Sequence, residues 1–252
     1  MPKKNSPQKY GLGWLPDVPD QRDYMYAAIK PPIRLLPGKV DLRQYCSAVE
    51  NQGQLGSCTA NALAGNLEFL DNRKDGSYTD VSRLFIYYNE RRVEHTEDTD
   101  SGAMLRDGIK TLHKYGVCAE SDWPYNIKKF AQQPSADCYE AAQDDMIESY
   151  HRLLTHSDRV TCLSEGYPFV FGFAVYESFE SAQTARTGIA NMPQKDEKML
   201  GGHAVCAVGF DQSSKRFIVR NSWGTGWGMK GYFTMPFEYL DKLADDFWTI
   251  RR

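Results

Sequence analysis

The period of the hydrophobic pattern changes part-way along this chain, and that change constrains the fold more than any other feature. Before about residue 150, apolar residues recur at helical spacing. Leu63, Leu67 and Leu70 fall at i, i+4 and i+7, with Ala60 and Ala64 on the same face. The pattern predicts a helix over 59–72, two more over 81–92 and 104–115, and a short one over 135–146. Gly116 suits a C-terminal stop for the third. After about Tyr150 the signal becomes that of strands: FVFGFAVY at 169–176, HAVCAVGF at 203–210, then 216–223 and 231–235. The Gly-rich run 224–228 separates the last two. Helices followed by antiparallel strands make an α+β arrangement of two lobes, helical over about 40–150 and β over about 151–252.

The N-terminal stretch obeys a different rule. Residues 1–32 hold six of the twelve prolines. Each Pro fixes φ and disfavours helix in the residue before it, so an extended path is expected. The stretch also carries Trp14, Tyr24, Met25 and Tyr26, too much apolar surface for a free linker. It is expected to lie against the body. The globular part starts near 37–43, which divides the chain into an extended segment, 1–36, and a single two-lobed domain, 37–252.

Charge and cysteine usage remove several classes of function. A net charge of −3 gives no basic surplus for nucleic acid. No run approaches the roughly 20 apolar residues of a membrane span, and no signal peptide is visible behind Met1–Ser6. The compartment stays open, and a monomer is expected. The six cysteines include no CxxC pair and no histidines cluster at ligand spacing, so neither a metal nor another cofactor is expected. The acidic loop 94–100 lacks the ligand periodicity and glycine of a calcium loop and reads as solvated. The histidines at 95, 113, 151 and 156 read as surface residues. Cys118 and Cys138 flank one loop-rich segment; a disulfide between them and two separate thiols are equally compatible with the sequence.

Four positions carry candidate chemistry. Cys58 sits where the loop Asn51–Ser57 becomes a helix, so its thiol feels unpaired N–H groups and the positive helix end. Both favour the nucleophilic thiolate. His203 follows Gly201–Gly202 at the mouth of a strand, where imidazole can take and return a proton. Asn221 ends another strand, and its amide oxygen can fix the imidazole's orientation, with Trp223 shielding that bond from water. Gln52 can direct its amide at a developing oxyanion. Each alone has an ordinary reading: a buried thiol, a strand-end histidine, a turn asparagine, a solvated glutamine.

Taken together, these positions resemble the papain family of cysteine peptidases. The matching stretches are Asn51-Gln52-Gly53 with Gly56-Ser57-Cys58, Gly202-His203-Ala204-Val205, and Asn221-Ser222-Trp223-Gly224-Thr225-Gly226-Trp227-Gly228 with Gly231-Tyr232. Tyr115-Gly116 and Trp123-Pro124-Tyr125 are similar to the family's middle region, and the resemblance covers about residues 37–235. Cys58 and His203 are 145 residues apart, within the family's spacing of about 130–150, whereas Cys58 and Asn221 are 163 apart, somewhat beyond it. The resemblance implies a helical lobe and a β-barrel-like lobe with the catalytic cleft between them. It implies an endopeptidase acting on peptide or protein substrates through a thioester, with Cys58 as nucleophile, His203 as base and acid, Asn221 orienting His203, and Gln52 in the oxyanion hole. It places Gly102 against the substrate backbone, Gly172 and Ala204 near the pocket for the substrate's second side chain, and Trp223 on the leaving-group side.

Three departures mark a divergent branch. Leu55 stands where the family has a cysteine, Thr59 where it has an aromatic residue, and the Pro-rich stretch replaces a long helical pro-segment. That stretch either caps the cleft through Trp14 and Tyr24 and suppresses activity, or packs behind a lobe as a structural arm. A catalytically silent binding protein, or a thiol acyltransferase or deamidase, would use the same residues.

Overall fold

The computed structural model describes residues 10–31 and 35–252; the extended path expected for residues 1–9 and 32 lies outside that range. In chain order the elements are β1 (Trp14–Leu15), β2 (Lys39–Asp41), α1 (Cys58–Asp75), α2 (Arg83–Val93), β3 (Ala103–Met104), α3 (Leu105–Tyr115), α4 (Ala136–Ala142) and β4 (Ser149–Arg152). Then follow α5 (His156–Ser164), β5 (Phe169–Tyr176), α6 (Ala182–Thr187), β6 (Met199–Asp211), β7 (Arg216–Arg220), β8 (Tyr232–Pro236), α7 (Phe237–Leu243) and β9 (Ala244–Arg251). The chain thus has the α+β order that the change of period predicts. No helix among the described residues is long and apolar enough to cross a membrane.

One helix organises the first half. Every residue of α1 from Cys58 to Leu70 is buried, so its apolar face is not a stripe but nearly the whole cylinder. Gly76, at φ 70°, ends it in the left-handed conformation that favours glycine. The second half is a sheet in the order β4-β9-β5-β6-β7-β8, with β2 added along β6. All of its pairings are antiparallel. It is an open path, so barrel-like describes its curl and not a closed ring of hydrogen bonds. Strand β6 meets α1, which seats the start of the helix against the mouth of the sheet.

Several elements had no reading in the sequence. Strand β4 and the helices α5, α6 and α7 have nine residues or fewer, strand β9 carries two aspartates near its start, and polar residues with structural roles fall among them. Asp158 is an example: it closes a capping box with Thr155 at the start of α5. The acidic loop is not simply solvated either. Arg91 donates to the carbonyls of Glu97 and Thr99, and Asp100 accepts from Gly56 N–H at 3.0 Å. His95 and His113 are exposed, but His151 and His156 are half-buried. All six cysteines are free thiols, and Cys118 and Cys138 sit beside each other as such.

Candidate active site

Cys58 is the first residue of α1 and has no exposed surface. Ser57 provides no side-chain cap to the helix, so the first-turn amides remain for the thiol. Burial pushes the Cys58 thiol up to about 11, while N–H groups of Ala204, Gly13 and Thr59 pull the other way. Ala204 brings β6 to the sulfur, and Ala204 follows His203. Thr59, in the place of an aromatic residue, donates its hydroxyl to the buried Glu90 carboxyl at 2.6 Å. Burial holds Glu90 well above the usual carboxylate range.

His203 lies fully buried near the start of β6. Its Nε2 donates to Asn221 Oδ1 at 2.8 Å, which leaves Nδ1 as the lone-pair nitrogen. Nδ1 has no hydrogen-bond partner, so no thiol–imidazole bond is made in this state. Burial lowers the imidazole to about 4, with the Asn221 bond opposing. Burial thus favours the neutral form of both thiol and imidazole here. Trp223 stacks on the His203 ring at 4.7 Å and covers the bond to Asn221.

Gln52 is oriented from both ends. Its Oε1 accepts from Ser222 Oγ at 2.6 Å, so Nε2 faces the cleft. There it donates to the carbonyls of Leu55 (2.9 Å) and Gly11 (3.0 Å). Tyr125 braces the loop, with its hydroxyl bonded to Ser57 Oγ at 2.6 Å and Gln52 O at 2.9 Å. The backbones of Gln52 and Gly224 bond across to Ser222 and Glu50 at 2.9 Å each, which ties the two halves together beside the site.

The N-terminal segment fills the groove between these parts. Tyr10 stacks flat on Trp223 at 4.6 Å. Gly11 meets Gln52 and Gly53, Gly13 N–H reaches Cys58, and Gly13 O accepts from Ala103 N–H at 2.8 Å. Strand β1 pairs in parallel with β3. The indole of Trp14 fills the space a side chain at Gly172 would need, since a Cβ there would lie 1.9 Å from the ring. A Cβ on Gly102 would lie 2.1 Å from Gly13 O and one on Gly202 2.5 Å from Trp14 O. The residues expected to touch a substrate thus all touch this segment or lie beside it. Tyr24 behaves differently: it is 65% exposed and lies outside the groove. Beyond the groove the segment serves as a structural arm, with Tyr26 buried and its hydroxyl donating to Glu165 at 2.6 Å.

The model of the papain family cysteine proteases matches residues 36–240. The chain belongs to that family. It is a cysteine-type peptidase by that membership, and its fold agrees. Xylellain, a cysteine protease from Xylella fastidiosa, superimposes with a TM-score of 0.88 at 42% identity, over 97% of each chain. An uncharacterised peptidase C1-like protein of Acanthamoeba polyphaga mimivirus is 44% identical over 95% of this chain and 86% of its own length. Cysteine proteinase 3 of Entamoeba histolytica is 27% identical over 89% of this chain and 69% of its own. Within the papain family frame, sequence reasoning missed Tyr10 and the bracing contacts of Tyr125; Trp14 at the cleft was one of the two placements the sequence left open. Trp14 carried a signal, since a Trp in a Pro-rich stretch needs somewhere to be buried.

Proposed function

We propose that this peptidase cleaves peptide bonds in peptide or protein substrates through a thioester on Cys58. His203 takes the thiol proton at Nδ1 and returns it to the leaving amine, and Asn221 holds the ring in the tautomer that leaves Nδ1 free. Gln52 Nε2 donates to the oxyanion beside the helix start. The observation that carries this reading is the His203–Asn221 bond, 2.8 Å long and roofed by Trp223. Gly11 O, accepting from Gln52 Nε2, takes the place a substrate oxyanion would have.

The second part of the proposal is that residues 10–17 keep the cleft shut. Their polarity supports it. A productive substrate lays its second side chain at Gly172 and its leaving amine toward Trp223. The segment runs the other way, from Tyr10 at Trp223 to Trp14 at Gly172. No peptide bond of the segment is then presented to Cys58 in the productive sense, so it blocks the cleft without being cut. Its cover also excludes water, which keeps thiol and imidazole neutral; on its departure, rehydration favours the ion pair. The test is covalent labelling of the full chain by an epoxide or iodoacetamide reagent, with turnover of a fluorogenic peptide. Labelling at Cys58, lost in Cys58→Ala together with turnover, is expected. Turnover that survives Cys58→Ala would refute the assignment.

A further inference from the structure

Past the groove, the segment turns onto the start of α3 and the β4–β9 edge, where it builds a cluster of buried charges. Asp17 Oδ1 accepts from Arg106 N–H at 3.1 Å and Oδ2 from Trp248 Nε1 at 2.8 Å. In return, Asp246 Oδ2 accepts from Asp17 N–H at 2.7 Å and from Trp14 Nε1 at 3.2 Å. Arg152 holds Asp246 Oδ1 at 3.0 Å. Asp23 bridges Arg106 at 2.6 Å and Arg152 at 3.1 Å. Asp17 and Asp246 are 7% and 1% exposed. The segment therefore brings two carboxyls to a site that already holds one, and two guanidiniums face the three.

The surroundings do not redress that imbalance. From β9, Asp245 also approaches Arg152, at 3.3 Å. From the end of α2, Glu94 accepts from Met104 N–H at 2.7 Å and faces Asp17 and Asp107. From α3, Lys110 acts on Asp20 and Asp107, and Arg22 is taken by Asp20 at 2.7 Å on the surface.

We infer that Asp17 and Asp246 form a proton-dependent latch: docking of the segment takes up one proton, so the cleft is held shut in acid and loosens as the pH rises toward neutrality. The inference rests on the reading that the docked segment keeps substrate out. Burial, and then the Asp17 charge, raises Asp246 to about 7. Burial likewise raises Asp17. Undocking returns Asp17 to water and leaves Asp246 to Arg152, so both fall to the ordinary aspartate value of about 3.9 or below it. A group raised in the docked state stabilises docking fully below its undocked value. That stabilisation is lost as the pH climbs to the docked value. One proton gives about a tenfold change in the docking equilibrium per pH unit between those limits. The Cys58–His203 pair adds no slope there, because forming the ion pair only moves a proton between the two.

Hydrogen exchange by mass spectrometry on the full chain, from pH 4.5 to 7.5, reads the latch without reference to activity. Protection of peptides covering residues 10–23, corrected for intrinsic exchange, is expected to fall about tenfold per pH unit. In Asp246→Asn the slope is expected to flatten, because only Asp17 is then raised by burial; asparagine tolerates the left-handed φ of 56° at that position. Asp17→Asn, which leaves the body untouched and removes the Asp17 charge from Asp246, is expected to flatten the slope likewise and decides the matter should the first variant misfold. Protection that is flat or rises with pH in the wild type overturns the latch, as does a slope that is unchanged in both variants or is abolished by Glu94→Gln alone. A slope without a parallel rise in peptide turnover upholds the latch and removes the inhibitory reading instead.

Discussion

Replacing Trp14 with alanine in the full chain isolates the anchor of the segment. Trp14 is 9% exposed, so docking removes most of its ring, on the order of 200 Å², from water. At about 25 cal/mol per Å² that is an upper limit of about 5 kcal/mol. Alanine keeps a little of this, and the vacated pocket on Gly172 admits water, so a loss of about 3 kcal/mol is expected. The indole N–H to Asp246, 3.2 Å, goes as well. A loss of 3 kcal/mol raises the population of the open cleft roughly 150-fold, at about 1.4 kcal/mol per factor of ten. The assay is the rate of alkylation of Cys58 by a small neutral reagent at limiting concentration, followed by mass spectrometry. That rate scales with the open fraction until the open form predominates. A rate unchanged within twofold, with an intact thermal transition, would show that Trp14 does not hold the cleft shut.

The same opening is expected from the body side. Gly172→Ala puts a methyl group into the indole, since a Cβ there would lie 1.9 Å from the ring, and faster Cys58 alkylation with an unchanged segment sequence checks it. The pH dependence should move too. With the segment docked the thiol sits at about 11 and the imidazole at about 4, so the wild type alkylates slowly at neutral pH. In Trp14→Ala the alkylation midpoint is expected at or below the ordinary cysteine value of about 8.5. In that opened background, Gln52→Ala is expected to lower kcat by about 10²–10³, and Asn221→Ala by less than His203→Ala; equal effects of the last two would refute an orienting role. Arg220 is buried and donates to the carbonyls of Ser47 and Ala48 at 2.9 and 2.6 Å, with Glu68 at 3.9 Å. Arg220→Met is expected to cost about 3 kcal/mol, read as a lower Tm, because it strands a buried carboxyl.

Much of the candidate constellation was legible because each of its residues sits in a recognisable local setting. A thiol at a loop-to-helix junction, a histidine after two glycines and an asparagine at a strand end each leave a short signature. The helices 59–72, 81–92 and 104–115 were legible for the same reason, since periodicity reports burial of one face, and they stand as α1, α2 and α3. Strand β9 was not. Its run 247–250 is only four residues long and follows Asp245 and Asp246, whose presence makes sense with Arg152 and the segment in place.

The order of residues along the chain determined the α+β layout and the family, and it singled out the candidate side chains. The tertiary structure decided what faces them. Proline explained why the N-terminal stretch is extended, but an extended chain has no preferred partner of its own. Its route was set by distant surfaces: the bare backbone of Gly172, the flat face of Trp223 and the guanidiniums of Arg106 and Arg152. Such long-range complementarity leaves no local pattern, which is why Tyr24 and Trp14 looked alike in sequence and ended up on opposite sides of the water boundary.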